Sequence, residues 1–113
     1  MMDFICGTVH PQGFTRQFRP ANFTFSEADH PKSVELGKQN AARYFDLLQK
    51  TWAGDTWLLP SGYSVADAAL FFVEYWATRR SRMTLPPKLD AHLKAMLGRP
   101  AVQRALSQEG LAA

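Results

Sequence analysis

Cysteine is almost missing from this chain: Cys6 stands alone among 113 residues. A single thiol excludes an internal disulfide and any zinc site made of cysteines alone, and it makes the reducing cytoplasm the simplest compartment. Long apolar runs are missing as well. The richest stretch, 65–77, is broken by Asp67 and Glu74, so no segment is suited to span a bilayer and no membrane partner is expected. Met1-Met2-Asp3-Phe4-Ile5-Cys6-Gly7 has no basic residue ahead of its apolar ones, which argues against a secretory signal. Charge of one sign is scarce: thirteen Lys and Arg against ten Asp and Glu leave a net +3, with six of each sign in 1–56 and seven against four in 57–113. So small an excess suits an anionic small molecule or an ordinary solvated surface, and no nucleic acid is expected, because that partner calls for a dense basic stripe. There is no Gly-rich phosphate loop, no Gly-x-Ser-x-Gly nucleophile motif, no pair of carboxylates with an obvious acid/base use, no internal repeat and no sustained strand-like alternation. Cys6, His10, His30 and His92 lack the paired spacing of a metal site, so no metal is expected.

What is present is apolar and helical. With 46% hydrophobic residues in 12.7 kDa, the chain suffices for one domain around one core. Over 33–52, Val34, Ala41, Phe45, Leu48 and Trp52 recur at the period of an amphipathic helix, with Ser33 as its expected N-cap and Ala53-Gly54-Asp55 as its stop. From Val65 to Ala77 almost no polar face is left, which predicts a central helix buried on all sides. That helix runs into Arg79, Arg80 and Arg82, a basic group that reads as a solvated helix end complementing the macrodipole. Leu85-Pro86-Pro87 breaks the chain. Leu89, Leu93, Met96 and Leu97 then form a shorter stripe closed by Gly98, and Pro100 opens a last one through Val102, Ala105 and Leu106. Residues 1–10 read as the last turns of a helix ended at His10 by Pro11. Residues 11–31 have no period, and their Phe14, Phe18, Phe23 and Phe25 are expected to pack on the chain's own helices or on a partner.

The strongest local signal is Ser64-Val65-Ala66-Asp67. A serine and an acidic residue three positions on can each satisfy one free amide of a first helical turn, which makes Ser64 and Asp67 a structural cap. This motif, together with Gly98-Arg99-Pro100-Ala101-Val102, resembles the all-helical C-terminal domain of cytosolic glutathione S-transferases. Phe4-Ile5, Thr8-Val9-His10 and Gly13-Phe14, with Phe18 and Pro20 beyond, are similar to the bacterial beta class. Pro60 and Pro11 depart from that class, which usually has glycine and lysine there. The resemblance covers essentially the whole chain, 1–113. It implies an all-α bundle of four to five helices whose first helix starts partway along, and the thioredoxin-like domain with the family's catalytic cysteine has no counterpart.

By the same resemblance His10 falls on a histidine that faces the glutathione sulfur, Trp76 on a tryptophan lining the glutathione site, and Asp3 on a polar residue that reaches the other subunit's site. Against these stand plainer readings: His10 as the end of a helix, and Trp76 as core. Cys6 lies four residues before His10, but a helix C-terminus opposes a thiolate, so Cys6 reads as an inert thiol. No cofactor is implied. The family gives such a domain a hydrophobic substrate pocket, part of the glutathione site and part of a dimer interface. Alone it is expected to be feeble or inactive as a transferase, with glutathione at most a weak ligand and a second copy or a separate thioredoxin-like domain as partner. The alternative is a non-catalytic helical module that kept the fold and binds another protein.

Overall fold

The computed structural model describes residues 1–24 and 26–111; Phe25 lies outside them. The described residues form an all-α bundle of five helices, with only an isolated bridge between Leu59 and Gly62 in place of a sheet. Helix α1 runs without a break through Met2–Phe4, Ile5–Thr15 and Arg16–Phe18, the middle stretch being wound as a π-helix. Helices α2 (His30–Lys50), α3 (Val65–Arg79), α4 (Pro87–Leu97) and α5 (Pro100–Gln108) follow. Every helix contributes to one core, through Ile5, Val9 and Phe14, then Phe45 and Leu48, then Leu70 and Val73, then Leu89 and Met96, and last Leu106. No helix among the described residues is long and apolar enough to cross a membrane.

Pro11 does not end the first helix, contrary to the sequence expectation, and the supposed loop shrinks to residues 19–29 with two short 3-10 turns, Pro20–Asn22 and Glu27–Asp29. A proline ring clashes with the carbonyl of the preceding turn and removes one amide donor, and the wider π winding accommodates both. Carbonyls after Pro11, in this stretch and at Arg16 just beyond it, also accept side-chain donors. Asn40 Nδ2 donates to Gln12 O at 3.2 Å, Gln17 Nε2 to Gly13 O at 2.7 Å, and Ser33 Oγ to Arg16 O at 3.2 Å. Ser33 is therefore no N-cap. Helix α2 begins at His30, and Ser33 sits a turn inside it as a rivet to α1. The two helices touch at small residues: a Cβ on Gly37 would stand 2.8 Å from Gly13 O, so only glycine permits this approach.

The described phenylalanines of 11–31 pack on the chain itself. Phe14 is fully buried, the Phe18 ring lies under the Arg80 guanidinium at 3.8 Å, and Phe23 lies under Arg16 at 4.3 Å. At the other end of α2, Gly54 is not left-handed as a C-cap would require. Its close neighbours are the carbonyls of Trp57 and Leu59, in a tight turn where Gly54 N–H donates to Leu58 O at 3.0 Å.

Helix α3 is central but not buried all round. Leu70, Val73 and Ala77 face the core, whereas Val65 and Phe72 are 66% and 58% exposed. Residues 65, 68, 69, 72 and 76 follow the helical period, so the open residues form one continuous apolar face.

Candidate functional site

The exposed face of α3 meets α1 at two aromatic rings. His10 and Trp76 lie with ring centroids 5.2 Å apart, tilted by 57°. Trp76 is held in place by Phe14, Phe18 and Phe72, at 6.1, 5.8 and 6.4 Å between centroids. Beside the pair opens a hollow of about 360 Å³ lined by His10, Thr15, Phe18, Arg19, Trp76 and Arg80. Its floor is aromatic, and its rim carries two guanidinium groups and an imidazole. This composition suits a small ligand bearing carboxylates, with the imidazole placed to exchange a hydrogen bond with a further group.

Two apolar hollows adjoin it. One, of about 490 Å³, runs between α1 and α3 past Met2, Cys6, Val65 and Phe72, and shares His10 and Trp76 with the first. The other, of about 460 Å³, lies between α3 and α5 past Tyr63, Phe72, Tyr75, Arg99 and Leu106, and it too touches Trp76. Trp76 thus stands where all three meet. It is half-buried, packed against the core on one side and open to the hollows on the other. His10 is exposed and sits within α1, not at its end. Cys6 is exposed at the edge of the apolar hollow, near the start of α1 and not at the helix C-terminus on which its reading as an inert thiol rests. Asp3 is exposed on the first turn of α1 and lines none of the three hollows. Arg80, expected as part of a solvated helix end, turns back over Phe18 into the site, and Arg19 joins it from the end of α1. Among the described residues no group of three His, Cys, Asp or Glu could hold a metal.

A second cluster lies wholly inside the protein. The capping box is formed: Asp67 Oδ2 accepts the Ser64 N–H at 2.9 Å, and the Ser64 side chain faces the Asp67 amide. Asp67 Oδ1 also accepts the Leu58 N–H at 2.9 Å and stands 2.9 Å from His92 Nε2. The other ring nitrogen, His92 Nδ1, is 2.7 Å from Glu74 Oε1. All three side chains are 0% exposed, and the rings of Trp52 and Trp57 meet the imidazole edge-on at 5.4 and 5.9 Å. Burial pushes the Glu74 carboxyl up to about 7 against the opposing pull of His92, and Asp67 and Asp90 push the same way. Burial alone would push the imidazole down, but the hydrogen bonds and charges of Glu74 and Asp67 together outweigh it and leave His92 raised. Enclosed on every side, this cluster meets no substrate.

Sequence reasoning missed this pair of carboxylates on one histidine. A signal was there: Asp67 and Glu74 are seven residues apart, two turns on one face of α3, and His92 follows Leu89 by three on the buried stripe of α4.

Among known proteins, the family model for the glutathione S-transferase C-terminal domain matches residues 31–95. Glutathione S-transferase GstA of Escherichia coli O157:H7 is 29% identical over 111 residues, which cover 97% of this chain and 51% of that protein. The chain therefore spans about half the length of the curated relative it matches. No solved structure matches it. The family match takes in α2, α3 and most of α4, including the Ser64–Asp67 cap that starts the central helix, and with it the chain belongs to the glutathione S-transferase C-terminal domain family.

Proposed function

We propose that this chain supplies the C-terminal share of a glutathione transferase site of the bacterial beta type in the cytoplasm, and that a thioredoxin-like domain supplies the rest. The observation that carries the reading is the His10–Trp76 pair at 5.2 Å beside a hollow rimmed by Arg19 and Arg80. In this reading the imidazole faces the glutathione sulfur, where it donates a hydrogen bond to the thiolate or takes the thiol proton. Trp76 lies along the tripeptide, and a guanidinium on the rim meets a carboxylate. The apolar hollow past Cys6 and Phe72 receives the hydrophobic electrophile. Asp3, exposed at the start of α1, reaches toward the site of a second subunit.

Without the other domain the chain conjugates glutathione no faster than buffer, because the thiol-activating group and most of the binding energy are absent. The test is a conjugation assay with a chlorinated aromatic electrophile on the wild type and on His10→Ala. Turnover that His10→Ala abolishes would contradict the claim of inactivity and make this half-site sufficient.

The exposed Val65 and Phe72 favour a second element of the reading, association through the face of α3. The chain should sediment as a homo-oligomer, or as a complex when a thioredoxin-like domain is present. A clean monomer at high concentration would count against the face as an interface. The same surface would serve a helical module that binds some other protein. In that case Phe72→Ser, and not His10→Ala, would be the variant that abolishes function.

A further inference from the structure

We propose that Asp67, His92 and Glu74 form a proton-operated latch between α3 and α4, closed while the cluster holds its protons and loosened when a rise in pH removes them. The geometry requires the protons. Both ring nitrogens of His92 face carboxylate oxygens, at 2.9 Å to Asp67 and 2.7 Å to Glu74. A neutral imidazole has one N–H, so one of the two contacts would set a nitrogen lone pair against an oxygen lone pair. The cluster closes with both protons present, as an imidazolium donating to the Asp67 carboxylate and to the carbonyl oxygen of a neutral Glu74. It also closes with one, as an imidazolium between two carboxylates or a neutral imidazole that donates to Asp67 and accepts a proton from Glu74.

The two carboxylates are not equivalent. Asp67 has three partners, the amides of Leu58 and Ser64 and the His92 ring, whereas Glu74 Oε2 is buried with no hydrogen-bond partner. Glu74 is thus the group that water and protein solvate worst when ionised, and the natural holder of a proton.

Among the described residues no Lys or Arg is ion-paired with the cluster. On α3 the cluster has Asp67 and Glu74 themselves. On α4 it has His92 and Asp90, and Asp90 is ion-paired with Lys94 at 2.9 Å on the surface. The segment between α2 and α3 contributes the Trp52 and Trp57 rings and the Leu58 amide, with the Arg99 guanidinium on Trp57 at 5.6 Å. Protonated at Glu74 and His92, the cluster is neutral. Losing one proton leaves a buried net charge of one, and losing the next breaks one of the two contacts that tie α4 to α3.

The sign follows from linkage. Glu74 is raised from 4.5 to about 7 on folding and His92 is raised from 6.5. Each therefore lends stability that is fully present below its unfolded value and is lost as pH rises through its folded value. Both act in the same direction, so the folded protein holds more protons than the unfolded chain from about pH 5 to beyond 7.

The experiment is urea denaturation at pH 5, 6, 7 and 8 on the wild type, on Glu74→Gln, and on the double variant Glu74→Leu, His92→Phe. The apolar pair keeps the test open if the single variant fails to fold, because it removes both proton-holding groups together, while Asp67 keeps the Leu58 and Ser64 amides as partners. Relative to the double variant, the wild-type unfolding constant should rise on the order of 100-fold between pH 5 and 8, as one carboxyl raised from 4.5 to about 7 requires. Hydrogen exchange, corrected for its intrinsic pH dependence, should lose protection first at α4 in the wild type and not in the double variant. A wild-type unfolding constant that is flat or falls with pH relative to the double variant would overturn the proposal. Loss of protection shared equally by all helices would overturn the latch.

Discussion

Asp67→Ala should cost about 3–5 kcal/mol, the loss expected when one partner of a buried charged pair is removed. The helix cap alone would cost about 0.5–2 kcal/mol. The larger figure follows from what else the carboxylate does. It is fully buried, it takes the Leu58 amide from the preceding loop, and it faces the imidazole of His92. Truncation leaves two amides without an acceptor and a buried imidazole with one carboxylate in place of two. A small domain has about 5–15 kcal/mol to lose, so the variant should lie close to its unfolding midpoint at ambient temperature. Asp67→Asn keeps one acceptor oxygen and should lose less. The check is the urea midpoint of both variants, and a loss of under about 1 kcal/mol for alanine would reduce Asp67 to a simple cap.

Phe14→Ala should be of similar size, about 3–5 kcal/mol, since it empties a fully buried aromatic position. Its ring lies 6.0 Å from Phe18, 5.9 Å from Phe45 and 6.1 Å from Trp76, so it joins α1, α2 and α3 at one point. The cavity lies directly beneath the His10–Trp76 pair. The variant should therefore lose stability and, in its near-ultraviolet circular dichroism, part of the fixed environment of the tryptophans. A wild-type midpoint with an unchanged tryptophan signal would show that the site does not rest on the α1 core.

How much of this was legible in the sequence can be judged element by element. Ser64 and Asp67 announced the start of α3 because a capping box is a local device whose partners lie within one turn. The stripe of Ala41, Phe45 and Leu48 and the breaks at Pro86-Pro87 and Pro100 were readable for the same reason. Pro11 misled, because the π winding that accommodates it leaves no local signature, and the stretch beyond it is tied to the next helix, where Asn40 and Ser33 donate to the carbonyls of Gln12 and Arg16. Phe72 and Val65 misled differently. An apolar residue states that it prefers to be covered, not that this chain covers it. His10 and Trp76 entered through family resemblance, and no periodicity distinguished them. Arg19 and Arg80 could not be joined to them without the crossing of α1 and α3. The buried cluster was half visible: Asp67 and Glu74 were noticed as interruptions of an apolar run, but their shared partner lies on another helix, 18 residues beyond Glu74.

The most direct test of the account is calorimetric titration of the chain with reduced glutathione, with His10→Ala and Trp76→Ala beside it. A hydrogen bond from His10 contributes about 1 kcal/mol and an aromatic contact with Trp76 about as much, against several kcal/mol of freedom lost on binding. Even with a charged contact from the rim, affinity stays at or weaker than about 1 mM, which corresponds to about 4 kcal/mol. The account predicts heats too weak to fit at micromolar ligand, and a measurable affinity once a thioredoxin-like domain is supplied, lowered by either substitution. Micromolar binding by the chain alone, or binding to the two-domain assembly that neither substitution changes, would contradict it.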